Sequence, residues 1–465
     1  MGSSKGKMAR RIASVVAGVS AVVFALSGCG GTSSSSSSSS DSGLTTTDLN
    51  NALKSKKTVN LTMWAWSETQ YKPVIQQFEK KYPNIKIKFV LSPVSTDEYT
   101  KFQNVVSANK GIPDIIQMEY DSMPQFAVKG DLTNFSSDSI EKEVGANYNT
   151  AAWTAAHVSD GLYGIPTDQG PTVLYYRNDI LKKYNLKTPT TWKEFEEEGI
   201  KLHKADSSKY MGFVDLADPR NLTNFLDYAD SKPWTVKDVQ NLSFDMQNSK
   251  VKEVSTFIQR CIKEGVLQPI SSAGSEFNQA MNKSRYATYL DGAWRGALLK
   301  SMYPSLSGKW KVEVPPSWGS DSARSSTSGG SMLALTKNVT SKTKQAAAVA
   351  FMNYISSNKT AVNTLVTTGG LFSAANVYQN DEKQAAITDK YFGGQAVNKV
   401  YFDAAKIVNT NWSVLPFNQE FVNEYNDIVV PTYTSGDSIF DAVGKWETKL
   451  VSYAKNQGFT VTENK

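Results

Sequence analysis

From residue 58 onward the hydrophobic pattern changes period in a regular order. Val59, Leu61, Met63 and Ala65 alternate with their neighbours, the period of a strand. A run opened by Pro73 then sets Val74, Ile75, Phe78 and Tyr82 at helical spacing until Pro83 ends it. Ile85, Ile87 and Phe89 alternate again, and Ser95 with Glu98 three residues on predicts a capping box ahead of Tyr99, Phe102 and Val106. Gly111 stops that helix and residues 115–118 read as a third strand. Strand, helix, strand, helix, strand implies right-handed crossovers and a parallel sheet covered by helices. Ligands of such sheets bind beyond the carboxyl ends of the strands. Trp64, Trp66, Ser67 and Glu68 stand at the end of the first strand, Glu119 and Tyr120 at the end of the third. Later, residues 173–176 form a β-branched and aromatic strand, and Thr191 with Glu194 is a second capping box, opening a helix with Trp192, Phe195 and Ile200 inward.

Before residue 58 the chain is of another kind. Lys5, Lys7, Arg10 and Arg11 precede an apolar or small-residue run at 12–26, shorter than the roughly 20 residues of a spanning helix. That is the form of a secretory signal. Leu26-Ser27-Gly28-Cys29 follows directly and resembles the lipobox of bacterial lipoproteins, which implies removal of residues 1–28 and lipidation of Cys29. Eight consecutive serines, 33–40, then lie in a Gly-, Thr- and Asp-containing stretch that buries nothing, so residues 29–57 are expected to be a tether with a reach of roughly 30 Å. A protein so addressed works outside the cell, held to the membrane by its lipid.

Composition excludes more than it selects. The 465 residues are 40% hydrophobic and 20% charged, an ordinary globular balance, and the length after the tether suits two or three domains. The formal charge of +6 falls to +2 once the four basic residues of the signal are removed, so neither nucleic acid nor another polyanion is an expected partner. Besides Cys29 there is only Cys261, which follows Phe257, Ile258 and Val254 at helical spacings within 251–263 and reads as a small core residue. With two histidines, His157 and His203, and no Cys/His grouping, no metal and no cofactor are expected.

The run GIPTDQGPTVLYYRNDILKKYNLKTPTTWKEF at 164–195 resembles the segment of extracellular solute-binding proteins of bacterial ABC importers that crosses from the first lobe to the second. FEKKYPNIKIKFV at 78–90 is similar to that family's first helix and second strand. RYATYLDGAWRG at 285–296 resembles its strand, acid, glycine, tryptophan segment, and SGGSMLALTKNVTSKTKQAAAVAFMNYI at 328–355 its return strand and alanine-rich helix. The order is the family's own and the likeness is nearest the sugar-binding branch. Two features depart from it: 282–284 lacks a usual glycine, and Gly369-Gly370-Leu371-Phe372 lacks a usual proline. The resemblance implies an α/β, two-lobed, periplasmic-binding-protein-like fold with discontinuous lobes, 58–166 with 331–370 and 167–330 with 371–465, joined by a hinge of three crossings near Pro166, Gly330 and Gly370. It also implies a neutral oligosaccharide as ligand, permease subunits as partners and a monomeric protein.

A neutral sugar offers C–H faces that stack on aromatic rings and hydroxyls that both donate and accept, so its site needs flat rings beside carboxylates. Trp66 at a strand end, Trp294, which matches a tryptophan that stacks on sugar in this family, and Trp412 are the candidate rings. Glu68, Glu119, Asp168 and Asp291 are the candidate carboxylates, with Asp215 and Asp218 behind them. Each acid has an ordinary alternative as a helix cap or turn residue. Other classes remain to be weighed: an exported glycoside hydrolase would use two such carboxylates, and a cell-surface glycan adhesin would need only the rings. No G-x-S-x-G, H-E-x-x-H, Walker or dinucleotide motif supports catalysis, and no repeat supports the adhesin.

Overall fold

The computed structural model describes residues 43–93, 96–319 and 321–463. The signal, the lipobox with Cys29, the serine run and Ser95 of the first capping box lie outside the described residues. The tether expected over 29–57 does not reach residue 57. Thr45 and Asp48 form a reciprocal capping box that opens helix α1, Thr46–Lys54, and its buried Leu49 and Ala52 join Leu44 in the first core. The T-x-x-D cap supplies the hydrogen bonds and the apolar side chains supply the packing, so residues 43–57 are not leash.

Strand β1, Val59–Ala65, leads into helix α2, Glu68–Lys81; strand β2, Ile85–Leu91, into helix α3, Thr96–Ser107; strand β3, Ile115–Glu119, follows. Helix α2 begins earlier than expected, because Ser67 caps it through the Gln70 N–H and Pro73 is accommodated inside. β1 pairs parallel with β2 from Val59↔Ile85 to Ala65↔Leu91, and with β3 at Met63↔Ile115. The sheet as a whole is mixed rather than parallel. Strand Ser331–Leu335 lies antiparallel between β3 and Gly164–Pro166, because the chain re-enters from the far side after building the other lobe. The first core draws on 44–165 and 332–374 and includes the wholly buried stretch 346–352 of helix Lys342–Ser357.

In the second lobe Thr172–Arg177 lies between Thr288–Gly292 and Trp310–Glu313, while Gly212–Asp215 pairs with Leu267–Ile270. A parallel bridge between Tyr210 and Tyr286 joins the two sets. The Thr191 and Glu194 capping box forms as expected; Trp192 and Phe195 are buried and Ile200 is half-buried. Cys261 is fully buried in helix Ser249–Lys263, and burial raises its thiol pKa well above the ordinary value.

Three stretches of chain run together between the lobes. Thr172 N–H donates to Ser326 O and Ser328 N–H to Gly170 O; Thr167 and Asp168 N–H both donate to Ser331 O; Gln169 N–H donates to Phe372 O and Ala374 N–H to Thr167 O. The packing is backbone against backbone. A Cβ on Gly170 would stand 2.0 Å from Ser328 O, and Gly329 and Gly330 both have positive φ, +69° and +91°.

Candidate ligand-binding cleft

The carboxyl ends of β1 and β3 carry the first-lobe side of the site. Trp66 follows β1 directly, and its Nε1–H donates to Glu98 Oε2 at 2.6 Å. Glu68 opens α2 and pairs with Lys72 on an exposed helix face, an i,i+4 contact of small energy. Glu119 ends β3, its N–H donating to Tyr99 Oη at 2.9 Å while that hydroxyl donates to Glu119 Oε2 at 3.2 Å. Two residues on, burial pushes the Asp121 carboxyl up to about 7; the charge of Glu119 adds to the shift and Arg220 opposes it.

Arg220 belongs to the second lobe. It opens helix Arg220–Tyr228 and is held by Asp218, whose carboxylate accepts from Nε at 2.8 Å and Nη2 at 2.8 Å and also caps the Arg220 N–H. Arg220 thus interacts electrostatically with Asp121 from across the cleft and with Asp291 from its own side.

Asp291 lies inside strand Thr288–Gly292 rather than after it. Its Oδ1 accepts from Gly292 N–H and Ser328 Oγ, both at 2.7 Å, and its Oδ2 accepts from Arg295 Nε and Nη2, both at 2.7 Å. Four donors use the roughly four acceptor positions of a carboxylate, so a sugar hydroxyl reaches Asp291 only by displacing one. Arg295 stacks over Trp294, its Cζ 4.5 Å from the ring centroid, and over Tyr289 at 4.9 Å. Trp294 donates Nε1–H to Ser328 O at 2.7 Å. Gly292 therefore leaves room for the chain's own groups, since a Cβ there would stand 2.5 Å from Trp294 Nε1 and 2.8 Å from Ser328 O.

Three candidates stand apart from this group. Asp168 is buried on the first crossing, accepts from Ser331 N–H at 2.9 Å and from Ser331 Oγ, and is pushed up to about 6 by burial against those bonds. Its bonds join two crossings. Trp412 packs edge-on against Trp234, centroids 5.1 Å apart, beside the second-lobe core. Asp215 accepts from the N–H groups of Ala217 and Ser272 and shapes the loops at its strand end. Among the described residues no group of three or more His, Cys, Asp or Glu is placed to hold a metal ion.

The sequence reading missed Arg220, Arg295, Asp121, Tyr99 and Ser328. Arg295 was signalled by its i,i+4 spacing from Asp291, and Arg220 by Asp218 two residues before it. Ser328 has no local signal: its partners are 34 and 37 residues away.

The raised carboxyls give a pH prediction. Glu98, Asp121 and Asp227 are each pushed up to about 7, chiefly by burial, from ordinary values of 4.5, 3.8 and 3.8. The folded state holds these protons more tightly than the unfolded chain. Their contribution to stability is therefore full below about pH 4 and is lost as pH rises through about 7. The melting temperature should fall by a few degrees between pH 5 and pH 8; a flat or rising profile in calorimetry would show that these carboxyls are not held as described.

The description "bacterial extracellular solute-binding protein" fits residues 65–362, and the chain belongs to that family. An arabinooligosaccharide-binding protein of Bacillus subtilis is 24% identical over 60% of this chain and 65% of its own length. A protein of the same name from Halalkalibacterium halodurans is 24% identical over 77% and 81%. Among solved structures, the ABC transporter associated binding protein of B. animalis subsp. lactis Bl-04 in complex with beta-1,6-galactobiose is 27% identical, with a TM-score of 0.72 over 88% of this chain and 100% of that one. The sugar-binding protein MalE of Xanthomonas citri is 20% identical, with the same TM-score over 86% and 98%, and shares the two-lobed fold.

Proposed function

We propose that this chain binds a neutral oligosaccharide in the cleft between its lobes, outside the cell, and delivers it to the permease of an ABC importer. The observation that carries the reading is the strip of groups from Trp66 through Glu119, Asp121 and Arg220 to Arg295 and Trp294: an aromatic ring on each lobe with charged hydrogen-bonding groups between. Relatives named for arabinooligosaccharide and a structure holding galactobiose support the ligand class. The lobes are 58–166 with 331–370 and 167–330 with 371–465, the first including α1. Sugar touching both lobes favours the closed form, because its affinity for that form exceeds its affinity for the open one. On the second crossing Ser328 is bonded to the second lobe and Ser331 to Asp168 and Gln117, so the bending falls on Gly329 and Gly330 between them. Cys29 carries the lipid that holds the protein, as a monomer, at the extracellular face of the cell membrane, and the chain performs no hydrolysis.

One set of measurements tests this. Calorimetric titration with beta-1,6-galactobiose, arabinotriose and maltotriose should show saturable binding of at least one, with the sugar recovered unchanged. Intact cells should carry the chain in their membrane fraction and lose it to the medium in Cys29→Ala. Cleaved sugar, or no binding across a wider oligosaccharide panel, would refute the ligand reading, and a Cys29→Ala chain that stays with the membrane would refute the anchor.

A further inference from the structure

Glu98 is fully buried, yet its carboxyl is only half engaged. Oε2 accepts the Trp66 indole N–H at 2.6 Å, while Oε1 has no hydrogen-bond partner among the described residues. Ser92 Oγ is likewise buried and makes no other hydrogen bond among the described residues, and its hydroxyl lies close enough to the Glu98 carboxyl to lower its pKa by donating to it. A buried carboxylate and a buried hydroxyl left without partners are both costly. Ser92 serves either form: its hydroxyl donates to the carboxylate, which lowers the Glu98 pKa, or accepts from the neutral acid, which still accepts from Trp66 through its carbonyl oxygen.

We propose that Glu98 is a positioning residue for the cleft: a buried acid, never in contact with ligand, that sets the orientation of the Trp66 ring through its indole N–H and changes its hold on that ring when it gains or loses its proton. This rests on the reading of Trp66 as a sugar-stacking ring. The charged and titratable groups around Glu98 are Lys101 on its own helix, whose ammonium lies 4.1 Å from the Trp64 ring centroid, Glu119 at the end of β3, and Tyr71 on α2. Burial is the largest influence, and Lys101 and Glu119 act in opposite directions, leaving the carboxyl at about 7. Near neutral pH both forms are therefore populated. The ionised form makes the shorter, stronger bond to the indole, while the neutral form gives its own proton to Ser92 and holds the indole through an uncharged carbonyl oxygen. The strength with which the first-lobe ring is held thus depends on external pH, to which an exported protein is directly exposed.

The test uses the full chain labelled with 5-fluorotryptophan, the Trp66 fluorine line being identified by its loss in Trp66→Phe. In the wild type that line should shift with pH about a midpoint near 7. In Glu98→Gln, which keeps an acceptor for the indole and a donor for Ser92 but cannot ionise, the shift should vanish; in Glu98→Leu the line should move and broaden. With beta-1,6-galactobiose as the probe, or arabinotriose if that is the sugar bound, Glu98→Leu should weaken binding about tenfold, as for loss of a positioning hydrogen bond, and Glu98→Gln should restore most of it. A wild-type Trp66 line that ignores pH, or one that titrates equally in Glu98→Gln, overturns the proposal, and the second comparison holds even if Glu98→Leu does not fold. If no sugar binds the wild type, the ligand reading fails while the fluorine titration still decides whether Glu98 governs Trp66.

Discussion

Trp294→Ala should weaken oligosaccharide binding at least roughly thirtyfold, because a central aromatic ring at a desolvated contact commonly contributes about 2 kcal/mol or more. The structure adds a reason beyond lost stacking. The ring donates to Ser328 O and carries the Arg295 guanidinium on one face, so truncation leaves a crossing-strand carbonyl unpaired and removes the surface that holds Arg295 against Asp291. Trp294→Phe keeps a flat ring but loses the donor and should fall between the two. If the ring served only to pack the lobe, Trp294→Ala would lower stability by about 3 to 5 kcal/mol and leave the affinity of the folded fraction intact. Titration calorimetry with a bound sugar, run beside denaturant unfolding of the free protein, separates these accounts.

Gly170→Ala should be the most damaging single substitution in the hinge. The new Cβ would stand 2.0 Å from Ser328 O and 2.9 Å from its carbonyl carbon, distances real Cβ atoms do not show. The obstacle is backbone, and it cannot rotate away. Moving it breaks the bond from Ser328 N–H to Gly170 O and disturbs Gly330, whose own Cβ position lies 3.1 Å from Gly170 N. A loss of about 3 kcal/mol or more is expected, at the upper end for overpacking, with a lower denaturation midpoint. Binding should weaken as well, because Ser328 is the residue to which both Asp291 and Trp294 are bonded. A midpoint equal to wild type would mean that the two crossings do not pack as closely as described.

The glycine shows how differently the parts of this molecule are encoded. Gly170 sits in the conspicuous run T-D-Q-G-P, and nothing local says that its partner is residue 328. The same holds for strand Ser331–Leu335: its hydrophobicity marks it as buried, but its antiparallel place beside β3 depends on the chain returning from another lobe. Asp291 is the clearest case among the site residues. A strand-end acid beside a tryptophan reads as a free acceptor for sugar, and the folded chain surrounds it with four donors, two from Arg295 one helical turn away and one from Ser328.

What the sequence determined by itself is what short-range periodicity and capping chemistry control. β1, α2, β2, α3 and β3 follow from alternation, helical spacing and proline or glycine stops. The Thr191 and Glu194 cap needs only residues three apart, and burial of Cys261 follows from one apolar helix face. Trp66 at the mouth of the sheet follows from the rule that parallel strands present their carboxyl ends to ligand. Tertiary structure alone decided which polar groups face one another. It drew Arg220 toward Asp121, seated Glu98 under Trp66, made Asp168 a staple between crossings and recruited residues 43–57 into the first core. These depend on contacts between segments tens to hundreds of residues apart, where each group's charge, burial and available lone pairs are set by neighbours that no local pattern names.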